Sequence, residues 1–257
     1  MSIWKPGPDE MPFLDHLEEL RWRILWSLLA VTFASVIGFL LVMKLNVLGI
    51  LIRPIEPFLE GSRLKYLSPM EPFFITLRLG ILTGLILASP VVIYQAWAFF
   101  SPALLPSEKR VIMPALFMGL VLFAIGVTAA YIVVLPMTLK FTMGFQTEAL
   151  EQAITIGPYL EVVTRVLLAF GAVFELPVVI LILSALGLVT PEFLASKRRH
   201  AIAIIAVTAS VLTPGDVITL TILMMVPLIA LYELSIVLSR LVVRRRAAAA
   251  AEAEAAA

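Results

Sequence analysis

One carboxylate lies deep inside an apolar stretch of the sequence. Glu175 follows Ala-Phe-Gly-Ala-Val-Phe and precedes Leu-Pro. An acidic side chain at the centre of a membrane helix costs about 2.5–3.5 kcal/mol and by default marks a functional site. It could carry a proton or bind a polar group of a partner, and the alternative is a protonated acid bonded within the bundle. Arg165 is about 15 Å away along a helix, so we expect it to pair with Glu161 instead.

Two acidic segments border apolar stretches. Residues 13–21 read Phe-Leu-Asp-His-Leu-Glu-Glu-Leu-Arg, typical of a short amphipathic helix, and residues 99–110 place Glu108 near aromatic and proline residues. Two carboxylates on one face can bind a pair of guanidinium groups bidentately. Charged loop residues are usually only solvated, and an exposed pair contributes about 0–1 kcal/mol, so these residues alone leave the function open.

The residue inventory argues against an enzyme. The two histidines, His16 and His200, lie far apart in the sequence at the ends of apolar stretches, and there is no cysteine. No zinc-protease, nucleophile-elbow or phosphate-loop motif occurs. We therefore expect no catalytic residue, no metal site and no cofactor. The net charge of +1 argues against a nucleic-acid partner.

Membrane helices must carry these groups. Hydrophobic residues make up 61% of the 257 residues and charged residues 14%, more apolar surface than a soluble domain of this size could bury. A membrane helix needs about 20 mostly apolar residues. The apolar stretches predict an all-α, polytopic protein with one membrane domain over 1–245 and six spans at 24–43, 79–100, 111–139, 161–189, 201–213 and 217–238.

The last apolar block is divided by Thr213-Pro214-Gly215-Asp216, a strong turn signal. A fifth span over 201–213 reaches only about 20 Å, against a hydrocarbon core of about 30 Å. We expect short fifth and sixth helices, and prolines within the spans predict curved helices and a concave, cupped bundle. The low-complexity, Ala-rich tail 246–257 is expected to fray.

The distribution of basic residues predicts the orientation. Most of the 19 Lys and Arg residues fall in the N-terminal segment, in the loops after the second and fourth spans, and in the tail. This places those parts and both termini in the cytoplasm. The segment 44–78 also carries basic residues and counts against the assignment. The acidic N-terminal residues do not fit a cleavable signal peptide.

Four blocks of sequence stand out together. They are His16-Leu17-Glu18-Glu19-Leu20-Arg21; Tyr94-Gln95-Ala96-Trp97-Ala98-Phe99 with Pro102-Ala103-Leu104 and Glu108-Lys109-Arg110; Phe170-Gly171 with Phe174-Glu175-Leu176-Pro177; and Leu212-Thr213-Pro214 with Asp216. In this order, and between these spans, they resemble the TatC family, the polytopic receptor subunit of the twin-arginine protein translocase. The resemblance extends from about residue 11 to about 245. Gly215 departs from it, since relatives often have a second proline there.

The resemblance implies a receptor that recognises folded precursor proteins with an Arg-Arg signal peptide and nucleates a translocation site driven by the proton-motive force. It implies signal-peptide binding by Glu19, Glu108, Phe99, Pro102, Leu104 and Arg21, an intramembrane polar site at Glu175, and partner-subunit contacts at Ser210, Thr213, Pro214 and Asp216. The implied partners are single-span proteins of the TatA and TatB families, precursor proteins, membrane lipid and further copies of the chain. The implied location is the bacterial cytoplasmic (inner) membrane.

Two other functions fit the residues when the resemblance is set aside. A proton-coupled small-solute carrier would use Glu175 as its coupling site and would work without partner proteins. A structural membrane scaffold would bind neighbours but would not depend on Glu19 or Glu108. The short fifth span and the paired acids favour the receptor over both.

Overall fold

The computed structural model describes residues 13–59, 61–100, 106–144, 153–212 and 218–255, and the long elements in these ranges are helices. The helices are α1 Phe13–Lys44, α2 Val47–Ile52, α3 Glu71–Phe100, α4 Pro106–Ala129, α5 Leu135–Met143, α6 Ile156–Phe174, α7 Leu176–Ala185, α8 Pro191–Ser196, α9 Arg198–Leu212 and α10 Ile218–Ala255. The predicted all-α class is confirmed.

Within the described ranges, five helical stretches are long and apolar enough to cross a membrane. They are Leu17–Lys44, Glu71–Phe99, Leu116–Met143, Ile156–Ala185 and Met224–Arg244, and each overlaps a predicted span. The predicted fifth span corresponds to α9, whose 15 residues reach only about 22 Å. The count of six spans and the single-domain boundaries therefore stay predictions.

The predicted length of the C-terminal helix is wrong. The predicted sixth span 217–238 belongs to α10, which has 38 residues and is not short. The tail that was expected to fray continues α10 as far as Ala255, because alanine has the highest helix propensity of all residues. Charged residues at 240–246 end an apolar window, but they do not end a helix. α9 also begins earlier than predicted, at Arg198.

The fourth span is interrupted at Glu175, where α6 ends and α7 begins. Pro177 has no N–H to donate to the carbonyl of Val173, so the regular hydrogen-bond ladder stops there. The helix begins at Ile156 and ends at Ala185, rather than at 161 and 189. It ends early because Gly187 takes a left-handed conformation, with φ of 73°, that terminates helices.

α1 packs along α3 through a line of small residues. A Cβ atom placed on Gly84 would lie 2.3 Å from Cα of Ser35, and one on Gly38 would lie 2.4 Å from the carbonyl oxygen of Gly80. Small residues let membrane helices approach this closely. Only 6% of the apolar window of α1 is buried within the described structure, so α3 provides most of the packing of α1.

α6 forms the centre of the bundle. Its side chains Leu160, Val163, Val166 and Phe170 are almost fully buried, and they belong to one hydrophobic cluster with residues of α3, α5 and α10. α4 approaches α6 closely because a Cβ on Gly126 would lie 2.7 Å from the ring of Phe174. This contact holds the end of α6, and with it Glu175, against α4.

Hydrogen bonds fasten the segments at the end of the bundle where α3 and α6 begin. The hydroxyl of Tyr159 donates to the carbonyl of Leu51, at 2.6 Å, at the end of α2. The amide of Lys65 donates to the carbonyl of Ile154 at 3.0 Å, and the amide of Ile156 donates to the carbonyl of Lys65 at 2.9 Å. This short parallel bridge holds the first turns of α3 and α6 side by side.

Candidate functional site

An ion pair on α1 lies at the end of the bundle where α1 begins. Arg23 donates to Oε1 of Glu19 through Nε, at 2.9 Å, and also through Nη2. Its Nη1 donates to Oε1 of Gln95 on α3 at 3.3 Å. Both charged side chains are partly buried, with 19% of Glu19 and 25% of Arg23 exposed. This end of α1 therefore presents a carboxylate that already holds a guanidinium against α3.

Arg23 and Gln95 are the residues of this site that the sequence prediction missed. The prediction names Arg21 instead, which is exposed. The i,i+4 spacing of Glu19 and Arg23 is a signal that could have found the pair. The position of Gln95 could not be found in this way, because 72 positions separate it from Arg23 and only the packing of α1 on α3 joins them.

Aromatic residues occupy the last turns of α3, on either side of Gln95 in the sequence. Phe99 is half-buried in the last turn of α3. The rings of Tyr94 and Trp97, on either side of Gln95 in the sequence, lie 5.7 Å apart. Gln95 is bonded to Arg23, and Phe99 follows Gln95 by four residues, about 6 Å along α3. Glu19 and Phe99 thus belong to adjoining ends of α1 and α3, and their meeting in one signal-binding surface stays a prediction.

The second predicted carboxylate begins another helix. Glu108 lies in the first turn of α4, where the helix dipole favours an acidic side chain. Its side chain lies outside the described part of the structure, as do Pro102 and Leu104 altogether. The meeting of Glu19 and Glu108 on one face therefore stays a prediction.

Glu175 lies in a narrow space between helices. A Cβ atom on Gly119 of α4 would lie 2.8 Å from Oε2 of Glu175, so the carboxylate occupies the room that this glycine leaves open. Oε1 of Glu175 is buried and has no hydrogen-bond partner among the described residues. A buried acceptor without a donor costs about 1–3 kcal/mol. A hydrogen-bond donor supplied by another molecule would therefore stabilise the Glu175 carboxyl group.

The predicted pair between Arg165 and Glu161 is confirmed. Nη2 of Arg165 lies 3.1 Å from Oε1 of Glu161, and both side chains are more than half exposed. Arg165 therefore belongs to the helix surface and does not compensate the charge of Glu175.

The predicted contact surface for partner subunits is described in part. Ser210 is exposed on α9, whereas Thr213, Pro214 and Asp216 lie outside the described residues. α9 is fastened to α10 by a bidentate ion pair in which Nε and Nη2 of Arg198 each lie 2.8 Å from an oxygen of Glu233. The sequence prediction missed this pair, since 35 positions separate the two residues.

Comparison with known proteins gives one consistent result. The family model described as Sec-independent protein translocase protein (TatC) matches residues 15–227. A relative of that name from Aquifex aeolicus is 40% identical over 238 residues, which cover 92% of this chain and 98% of the relative. The relative from Escherichia coli K12 is 36% identical over 234 residues, which cover 90% of this chain and 89% of the relative.

The fold agrees with solved structures as well. A crystal structure described as the twin arginine translocase receptor TatC matches with a TM-score of 0.77 and 38% identity, covering 89% of this chain and 99% of that chain. A second structure of this receptor, in DDM, also matches with a TM-score of 0.77 and covers 87% of this chain. The similarity thus extends over most of the sequence and most of the backbone.

Proposed function

The chain belongs to the TatC family of translocase proteins, and on this premise we propose that it binds the Arg-Arg signal peptides of folded precursor proteins where α1 begins and α3 ends. It is a multi-pass membrane protein, and it is a component of protein transport rather than an enzyme. The names of its relatives support the receptor function over a small-solute carrier.

The guanidinium held by Glu19 is the observation that carries the proposal. A carboxylate has about four lone-pair sites, so Glu19 can accept a signal arginine beside Arg23 or in its place. Each charge-assisted bond contributes about 1.5–3 kcal/mol, so two arginines alone would bind weakly and apolar residues of the signal must contribute. Lysine lacks the planar fork of a guanidinium and should be accepted poorly.

The other predicted residues complete this surface in the proposal. Glu108 supplies the second carboxylate, and Phe99, Pro102 and Leu104 supply apolar contacts beside it. Arg21, which is exposed on α1 two positions after Glu19, belongs to the same proposed binding surface. The half-buried position of Phe99 at the end of α3 supports this part of the proposal.

We place the partner subunits, single-span proteins of the TatA and TatB families, at α9 and at the polar site inside the bundle. The exposed Ser210 forms the contact surface together with Thr213, Pro214 and Asp216, which follow it in the sequence. Glu175 accepts a hydrogen bond from a partner or from an inserted signal helix. The unpartnered Oε1 of Glu175 supports this role. Full export by Glu175→Ala would exclude it, and full export by Glu175→Gln would exclude an essential ionisation.

We propose the bacterial inner membrane as the location, with both termini in the cytoplasm. The basic residues bordering the apolar stretches support this orientation. Transport is then driven by the proton-motive force, which fits the absence of a phosphate-loop motif from the sequence. Further copies of the chain join the partners in a larger assembly.

Site-specific cross-linking tests the proposed receptor site. A photo-reactive residue replaces Leu17 or Trp22, both exposed beside Glu19, in membranes that contain the partner subunits and a twin-arginine precursor. We expect adducts with an Arg-Arg signal that fade with its Lys-Lys variant. A probe at Met43, exposed at the far end of α1, serves as the control.

Substitutions complete the test. Glu19→Gln should reduce the adducts at least several-fold, and Glu161→Gln, which neutralises an exposed carboxylate outside the site, should leave them unchanged. Equal adducts with Arg-Arg and Lys-Lys signals, or full adduct formation after Glu19→Ala together with Glu108→Ala, would contradict the assignment of the site.

A further inference from the structure

A groove of about 650 Å³ runs between α3 and α6, starting at the end of the bundle where both helices begin. Its polar residues lie at one end. Glu71 lies in the first turn of α3, Arg78 lies about 10 Å further along the axis, and Glu161 lies about 8 Å into α6. Beyond them the walls are apolar apart from Thr164, reaching Leu85 about 21 Å into α3 and Leu168 about 18 Å into α6.

Two groups in this groove lack partners. The side chain of Arg78 is exposed, and no carboxylate within the described ranges lies within salt-bridge distance of it. The hydroxyl of Thr164, about 12 Å into α6, is buried and has no hydrogen-bond partner among the described residues. A cation this far inside a membrane helix normally pairs or reaches to the interface, so Arg78 is set to bind an anion at the membrane surface.

The order of groups along the groove matches a membrane phospholipid. If the phosphate of a phospholipid binds Arg78, its glycerol esters follow at the depth of Thr164. An ester carbonyl can there accept a hydrogen bond from the Thr164 hydroxyl. The acyl chains then lie along the apolar walls around Leu85 and Leu168. A helix of another protein would not need this sequence of anion, acceptor and hydrocarbon.

The charges at the entrance indicate the class of headgroup. Arg78 shares the groove with two carboxylates: Glu71, whose Oε2 accepts the backbone N–H of Leu67, and Glu161, whose Oε1 is held by Arg165. Each carboxylate keeps a second oxygen, so a headgroup with only negative charge would lie against acidic oxygens beside Arg78. A headgroup with a phosphate and a primary amine offers an anion to Arg78 and N–H donors to the carboxylates. We propose that this groove is a specific binding site for a phospholipid of the phosphatidylethanolamine class.

Native mass spectrometry of the full-length protein in detergent tests the proposal. Dioleoyl lipids with ethanolamine, choline or glycerol headgroups are added in turn, which keeps the acyl chains constant. We expect the ethanolamine lipid to bind most tightly, since the trimethylated choline amine cannot donate and the glycerol headgroup has no cation. Equal binding of the three lipids, or tighter binding of the glycerol lipid, would overturn the assignment.

Variants locate the site. Arg78→Gln should weaken binding of the ethanolamine lipid about ten-fold to a hundred-fold, the value of one charge-assisted contact. Arg53→Gln removes an exposed arginine that does not line the groove and should leave binding unchanged. Thr164→Val keeps the side-chain shape and should weaken binding a few-fold. Wild-type affinity in both groove variants would refute the site.

A photo-reactive residue at Ile81, exposed on α3 at the groove, extends the test to membranes. Adducts with the mass of a phospholipid are expected. Adducts with a second copy of the chain or with another protein would show that the groove is a protein contact and would overturn the proposal. The lipid site does not depend on the signal-peptide site, so Glu19→Gln should not alter it.

Discussion

The close approach of α1 and α3 at Gly84 predicts the effect of a single methyl group. In Gly84→Ala, the added Cβ would lie 2.3 Å from Cα and 2.4 Å from the amide nitrogen of Ser35. Carbon atoms pack at about 3.5–4.0 Å, so α1 would have to retreat from α3 by more than 1 Å. Backbone atoms of a helix cannot turn aside as a side chain can. Overpacking of this kind costs about 1–3 kcal/mol.

A smaller effect opposes this cost, because alanine favours a helix over glycine by about 1 kcal/mol. Because the clash is with backbone atoms, the overpacking cost should lie in the upper part of its range, about 2–3 kcal/mol. We therefore expect a net destabilisation of about 1–2 kcal/mol, together with loss of the bond from Arg23 to Gln95, the contact of the signal site that joins α1 to α3. Reversible unfolding by SDS in mixed micelles measures the first effect. Cross-linking of an Arg-Arg precursor at Trp22 measures the second.

Matched variants separate the proposed cause from a general effect of alanine. Gly119→Ala places its Cβ 2.8 Å from Oε2 of Glu175, the movable end of a side chain, and should cost little stability. Ser35→Gly should not rescue Gly84→Ala, because the closest contacts are with backbone atoms. Unchanged or increased stability of Gly84→Ala, or full rescue by Ser35→Gly, would refute the reasoning.

Three further outcomes are expected. Tyr159→Phe leaves the carbonyl of Leu51, in the last turn of α2, without its buried donor and should lower the free energy of unfolding by about 1–3 kcal/mol. A loss below about 0.5 kcal/mol would show that water replaces the hydroxyl. The buried hydroxyls of Ser184 and Ser239 are 2.7 Å apart. A double-mutant cycle to alanine should give a coupling energy of about 0.5–1.5 kcal/mol between them, whereas additive effects of the two substitutions on stability would show that they form no hydrogen bond. Arg23→Gln removes the guanidinium held by Glu19 and should increase cross-linking of an Arg-Arg signal at low precursor concentration; a decrease would indicate that Arg23 positions the carboxylate.

The sequence predicts those features that depend on neighbouring residues. Apolar stretches locate the membrane helices, the spacing of Glu161 and Arg165 predicts their ion pair, and Pro177 accounts for the break after α6. The motif residues identify the family, which the comparisons confirm. Each of these inferences uses residues that lie within a few turns of one another or in recognisable blocks.

Features that depend on distant residues could not be predicted. The ion pair of Arg198 and Glu233 and the bond of Arg23 to Gln95 join helices that only the packed fold brings together. The length of α10 was missed for a different reason. Hydropathy indicates where a helix leaves the hydrocarbon core of the membrane, not where the helix ends. The alanines after residue 246 continue α10 beyond that point because of their high helix propensity.

The contact between α1 and α3 also bears on the order in which the protein is assembled. α1 and α3 precede the other long helices in the chain, so synthesis from the N-terminus delivers them to the membrane first. Their interface uses residues of these two helices, such as Ser35 and Gly84, and needs no side chain that is made later. The hairpin can therefore close while the ribosome is still translating α4. The bond from Arg23 to Gln95 also joins only these two helices, so the position of the first carboxylate of the signal site requires no part of the chain beyond α3.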